Sequence, residues 1–139
     1  MQNTIQAAKV NNVSYVQKNK NRYKEGEIDQ TDQDGNTALF YAVQNMHPEM
    51  VSLLLNMGAD VNKRCEMGNT VMHECFMVGD KIEKNKKVLN ILMLAGPNLK
   101  AINNFGQTPI FFATKGLIQQ KGLSSYTAVK FRESDLENP

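Results

Sequence analysis

Tryptophan is absent from this chain, proline occurs four times and cysteine twice, and no apolar run exceeds a few residues, Leu53 to Leu55 being typical. Without a long run there is no segment to span a bilayer, which needs about 20 apolar residues. Two cysteines ten positions apart admit one disulfide at most. The first residues, MQNTIQAAKVNNV, lack the apolar stretch of a secretory signal, so a reducing compartment, cytoplasmic or nuclear, is expected. An excess of one charge sign is missing as well. Sixteen basic against fourteen acidic side chains leave a formal charge of +2, well short of what nonspecific nucleic-acid binding requires. Neither nucleic acid nor a membrane is expected as a partner. What the chain does have, 139 residues at 41% hydrophobic content, suits one domain with a modest core.

Charge is uneven in one stretch. Lys9, Lys18, Lys20, Arg22 and Lys24 come with no acidic residue among them, and Glu25, Glu27, Asp29, Asp32 and Asp34 follow with no basic one. Two readings fit: a basic partner-binding arm, or a solvated helix face followed by an acidic loop.

Internal repetition organises the rest. DQDGNTALFYAV from Asp32 and CEMGNTVMHECF from Cys65 align at an offset of 33, placing Gly35 on Gly68, Thr37 on Thr70, Leu39 on Met72 and Ala42 on Cys75. NNFGQTPIFFAT from Asn103 supplies Gly106, Thr108, Ile110 and Ala113 at the same steps, 38 residues further on. The second halves agree, with Leu54 on Leu92, Gly58 on Gly96 and Val61 on Leu99, so five residues are inserted between Met77 and Val88. Gly-x-Thr closes a tight turn and starts a short helix, since glycine accepts positive φ and the threonine hydroxyl can satisfy an open amide. VSLLLNMG is apolar at helical spacing and stops at glycine, which marks a second helix. No unit can bury its apolar face alone, so the units must stack.

These residues resemble the ankyrin-repeat family. The likeness rests on Asp32, Gly35, Thr37, Leu39, Ala42, Val51, Leu54, Leu55 and Gly58 to Asn62, then Gly68, Thr70, Met72, His73, Gly79, Leu92 and Gly96, then Gly106, Thr108, Pro109 and Ala113. It implies an all-α solenoid of helix-turn-helix repeats with extended, hairpin-like turns. About four repeats are expected: a degenerate one at 1–31, one at 32–64, one with the insertion at 65–102, a degenerate one at 103–131, and a frayed tail at 132–139. The family's Thr-Pro-Leu-His keeps its histidine only at His73 and its proline only at Pro109, so the threonine–histidine bond is expected in the middle repeat alone. Met46 replaces the family's glycine after the first helix, while Asn45 beside it tolerates a left-handed conformation. In the first repeat Ala7 and Ala8 take the small positions, Ile28 lies 33 before Val61, and about three extra residues enter the basic segment. Leu123, Tyr126 and Val129 are spaced for a terminal covering helix.

CEMGNTVMHEC, residues 65–75, holds both cysteines and one of the two histidines. A zinc site at Cys65, His73 and Cys75 would have three donors, no Cys-x-x-Cys pair, and a need for His47 or a carboxylate from elsewhere. A thiol enzyme would need a base beside Cys75, yet His73 points about 200° away around the helix. The register explains all three residues more simply: Cys75 fills the small buried position of Ala42 and Ala113, His73 is a structural histidine, and Cys65 opens a turn as Asp32 and Asn103 do. With no phosphate-binding glycine loop, no catalytic residue, cofactor or metal is expected.

What remains is surface. The resemblance implies a concave face, built from turn tips and exposed positions of the first helices, that binds another protein. Those positions are Gln33, Asp34, Asn36, Gln44 and Asn45; Glu66, Met67, Asn69, Met77 and Val78; and Asn104, Phe105, Gln107 and Lys115. Met67 and Phe105 are apolar on projecting tips, which suits interface anchors or a contact between the two tips. The insertion GDKIEKNKK is either a basic contact or a solvated extension of the helices it links. The expectation is a non-catalytic protein-interaction module, monomeric when free; the alternatives are a stand-alone inhibitor or decoy of a signalling or transcription-factor complex, which a methionine at position 1 favours, and the thiol or metal site.

Overall fold

The computed structural model describes residues 3–77 and 82–112. Val78, Lys115, the start of the insertion, the Leu123–Tyr126–Val129 pattern and the tail at 132–139 lie outside the described residues. Among the described residues, six α-helices form pairs: α1 (Thr4–Lys9) with α2 (Val13–Asn19), α3 (Ala38–Gln44) with α4 (Pro48–Asn56), and α5 (Val71–Met77) with α6 (Ile82–Leu94). A further helical stretch begins at 109–112, and there is no strand among the described residues.

The helix starts follow from local chemistry. Asn3 accepts the amide of Gln6 at 2.8 Å and Asn12 that of Tyr15 at 3.1 Å. Thr37 Oγ1 accepts the amide of Phe40 at 3.1 Å, and α4 opens on Pro48, whose missing N–H is not needed there. Each such cap is worth about 1 kcal/mol. The first helices, of six or seven residues, are too short to persist alone; they last because they pack side by side.

The pairs stack in two layers. α1 lies against α3 and α3 against α5, while α2 lies against α4 and α4 against α6. The aligned positions lie inside: Leu39, Met72 and Ile110, then Ala42 and Cys75, then Leu54 and Leu92 are all buried. Emptying one of these sites, as in Leu54→Ala, would cost about 2–5 kcal/mol.

Polar bonds hold the stack in register. The same turn closes three times, with the amide of Asp32 donating to Asn36 O at 3.0 Å, Cys65 to Asn69 O at 2.7 Å and Asn103 to Gln107 O at 3.0 Å. On the opposite edge, Asp29 Oδ1 accepts the amide of Asp60 at 2.8 Å, and the aligned Asn62 Oδ1 accepts that of Asn98 at 2.7 Å. The first and second units thus each receive a backbone donor from the next.

Three details differ from the sequence reading or sharpen it. Met46 itself, not Asn45, takes the left-handed conformation (φ 54°). Its side chain is buried in the core, which offsets a backbone cost of about 1–2 kcal/mol. Asn11 occupies the same place after α1 (φ 57°). Matching Asn11 to Met46 and Ile28 to Val61 leaves the first unit two residues longer than the second, rather than three; the turn Lys20–Arg22 takes them up. The insertion lengthens the second helix, since α6 has 13 residues against nine in α4.

His73 joins the third unit to the fourth. Its Nδ1 accepts the amide of Thr70 at 3.0 Å, so Nε2 carries the proton and donates to Gln107 O at 2.8 Å. Thr70 Oγ1 is also 3.0 Å from Nδ1, the threonine–histidine bond expected of this repeat. Burial pushes the imidazole below its ordinary pKa of 6.5, against the opposing bond from Gln107. The unfolded chain therefore takes up a proton first. The stability held by neutral His73 is full above pH 6.5 and is lost as pH falls from there through the lowered folded value. Glu74, raised by burial, acts in the opposite sense, so the comparison must be a difference. We expect His73→Phe to flatten this acid-side loss while lowering neutral stability by about 1–3 kcal/mol, because Thr70 N–H and Gln107 O lose a buried partner. Urea titrations of both chains across pH 5.5 to 7.5 would read both effects; parallel slopes would show that His73 is not the titrating group.

Candidate partner-binding face

Three turns project in series at the starts of α3, α5 and the stretch at 109–112. In the first, Asp32 Oδ1 accepts the amides of Asp34 and Asn36; in the third, Asn103 Oδ1 accepts those of Phe105 and Gln107. These side-chain brackets shape the tip. Asp32 also accepts the Tyr41 hydroxyl and lies 3.9 Å from Lys9 Nζ, which sits over the Tyr41 ring. Burial would raise the Asp32 carboxyl, but the bonds from Tyr41, Asn36 and Asp34 outweigh it and hold the group below its usual value.

The middle tip has Cys65 where the others have a bracketing oxygen. A thiol does not reproduce that pair of bonds, and the local backbone differs: Met67 is left-handed (φ 62°), whereas at the first and third tips only the glycine is. Met67 O accepts the amide of Asn104 at 2.9 Å, which draws the second and third tips together. Both carry exposed apolar side chains, Met67 at 54% and Phe105 at 67% of full exposure.

The candidate residues fall into two groups. Gln33, Asp34, Glu66, Met67, Asn104 and Phe105 are exposed on the tips, and Gln44, Asn45 and Met77 are exposed at the far ends of α3 and α5. Asn36, Asn69 and Gln107, which share one aligned position, serve instead as joints. Asn36 Oδ1 accepts the amide of Glu66 at 3.0 Å and its Nδ2 reaches Tyr41 and Glu66. Asn69 Oδ1 accepts Asn103 Nδ2 at 2.9 Å, and Gln107 takes bonds from Asn103 and His73.

Four residues of this region escaped the sequence reading. Arg64 donates to Gly68 O and reaches Asn104 Oδ1. Phe111, aligned with the buried Phe40 and His73, is 40% exposed. Lys9 pairs with Asp32 across the first unit boundary. Glu74 is buried on α5, where burial and the neighbouring Glu66 push its carboxyl up against the bond it makes with Gln44. The signal for Glu74 was there: its aligned partners are Tyr41 and Phe112, and a carboxylate among aromatics marks a local change of use.

Cys65, His73 and Cys75 are each engaged within the fold. Both ring nitrogens of His73 are engaged, and among the described residues no group of three or more His, Cys, Asp and Glu is placed to hold a metal ion. Cys75 Sγ donates to Asn85 Oδ1 at 3.1 Å, and burial pushes its pKa up to about 12. Burial also raises Cys65, with Thr37 opposing. Thiolate is the reactive form, so both should resist alkylation by iodoacetamide at neutral pH in the folded chain and react fully in denaturant, as read by intact mass. Rapid labelling of native Cys75 would contradict this.

Comparison with known proteins agrees with the geometry. The family described as ankyrin repeats (3 copies) matches residues 4–84. Among curated mouse proteins, the inactive serine/threonine-protein kinase TEX14 is 32% identical over 82 residues, 59% of this chain and 5% of that protein. Protein fem-1 homolog A-like is 27% identical over 88 residues, 63% of this chain and 12% of that one. Ankyrin repeat and MYND domain-containing protein 1 is 45% identical over 49 residues, 35% of this chain and 5% of its own length. The chain therefore spans between 5% and 12% of the length of these relatives. With more than half of its residues matched and one turn closed three times in register, the chain belongs to the ankyrin-repeat family.

Proposed function

We propose that this chain is a non-catalytic binding module that takes a partner protein on its projecting tips, with Met67 and Phe105 as the anchors. Ankyrin repeats generally mediate protein–protein interaction, and domains built from them are typically non-catalytic. The observation that carries the assignment to this surface is the exposure of those two side chains on tips joined by the Met67–Asn104 bond. An apolar side chain held in water gains when a partner covers it, at about 25 cal/mol per Å², and a few such residues carry most of an interface's free energy. No step of chemistry is needed; occupancy blocks, tethers or retains the partner. The two buried free thiols suit a reducing setting, the cytoplasm or nucleus.

The test is affinity capture from cell lysate with mass spectrometry, comparing the wild type with Met67→Glu/Phe105→Glu after circular dichroism shows equal folding. We expect a partner retained by the wild type and lost by the variant. A partner held equally by both would move the function off the tips.

A further inference from the structure

The tips differ in charge from one side to the other, and this carries a reading of what they bind. Towards the first tip stand two exposed carboxylates, Asp34 and Glu66. Asp34 is exposed on the first tip. Glu66, on the second, leans back so that its carboxylate is 3.5 Å from Asn36 Nδ2. Behind them the Glu74 carboxyl is held up by burial and by Glu66, with Gln44 as its hydrogen-bond partner. Two nearby cations are committed elsewhere, Lys9 to Asp32 and the Tyr41 ring, and Arg64 to Gly68 O and Asn104 on the side of the third tip, while Lys63 is exposed two positions before Cys65. Towards the third tip lie Met67 and Phe105, with no acidic residue from Asn103 to Phe112.

We propose that the tips bind a cationic segment of a partner protein, one in which an apolar anchor covers Met67 and Phe105 while a lysine or arginine beside it reaches the carboxylates of Asp34 and Glu66. This rests on the partner-binding reading of the tips and adds the partner's chemistry. An acidic segment would meet like charge at Asp34 and Glu66, and a purely apolar one would leave those carboxylates partly desolvated without a counter-charge; both are penalised. A cation seated there relieves the crowding of Glu66 against Glu74. Because Arg64 stands on the opposite side, the basic residue has one side of the anchor to occupy, and this sets the direction in which the segment runs.

The experiment is selection of displayed random dodecapeptides on the full chain, on Asp34→Lys/Glu66→Lys, and on Met67→Glu/Phe105→Glu, with folding of all three checked by circular dichroism. The wild type is expected to enrich peptides with lysine or arginine close to leucine, phenylalanine or methionine. Charge reversal should weaken those peptides about tenfold at low salt, with the gap shrinking as salt rises, and should enrich aspartate and glutamate in their place. Peptides that the Met67→Glu/Phe105→Glu chain loses, but that show no basic bias or ignore the charge reversal, would overturn the cationic partner and leave the tips standing. Peptides held equally by the tip variant, or no enrichment on the wild type, would overturn both.

Discussion

Asn36 is the type of contact on which the stack depends. Its side-chain oxygen takes the amide of Glu66 from the next turn, and its nitrogen reaches Tyr41 and Glu66. A turn tip carries backbone donors that no helix or strand consumes, and a buried donor left open costs about 1–3 kcal/mol. Handing the Glu66 donor to Asn36 and the aligned Asn104 donor to Met67 O, each in the preceding unit, solves that problem and fixes the spacing between units at once. Asn69 and Gln107 repeat the role at the next boundary with different atoms, and Asp29 and Asn62 repeat it along the other edge. The apolar core supplies most of the free energy, but hydrophobic burial is non-directional. The polar joints decide which residue faces which.

This division explains what could be read from the sequence. The repeat register rests on glycine, threonine and apolar residues at fixed steps, each tied to a local requirement, and so the units, their helices and the buried positions of Leu39, Met72 and Ile110 were legible. The threonine–histidine pair of the middle repeat was legible for the same reason. The partner of His73 across the boundary was not: Nε2 meets a backbone carbonyl, Gln107 O, and any residue carries one. Asn36, Asn69 and Gln107 read as polar tip residues, yet are joints, because a polar side chain beside a turn looks the same whether it bonds to water or to the next unit. Met46 shows a further limit. Propensity pointed to Asn45 for the left-handed residue, but helix length sets where the chain must turn, and a buried methionine side chain repays the backbone strain.

Cys65 illustrates how one substitution in a repeat redirects its neighbours. The aligned Asp32 and Asn103 each bracket their own tip through two amides. At Cys65 the sulfur instead lies 3.9 Å from Thr37 Oγ1 and 3.8 Å from Lys63 O, turned towards the buried joint. The tip keeps its closing bonds, Cys65 N to Asn69 O and Gly68 N to Cys65 O, and the conformational adjustment falls on Met67. Its carbonyl then meets Asn104, so the altered tip is braced by its neighbour. The same change that removes an internal bracket thus leaves an apolar side chain held outward at the seam between two units.

Such a seam is a favourable place for recognition on physical grounds. In a stack whose stability is a sum of neighbouring contacts, residues that serve as joints are constrained by folding, whereas exposed tip residues are not. Met67, Phe105, Asp34 and Glu66 are exposed, and their side chains can change with little effect on the core. The left-handed backbone at Met67 also limits the positions its side chain can take, so less freedom is lost when a partner covers it. Charge adds direction to that anchor, since carboxylates on one side and Arg64 on the other make the two orientations of a bound segment unequal. On the proposed binding mode, stability and specificity reside in different side chains of the same turns, the first in residues whose polar atoms face the next unit and the second in residues whose side chains face out.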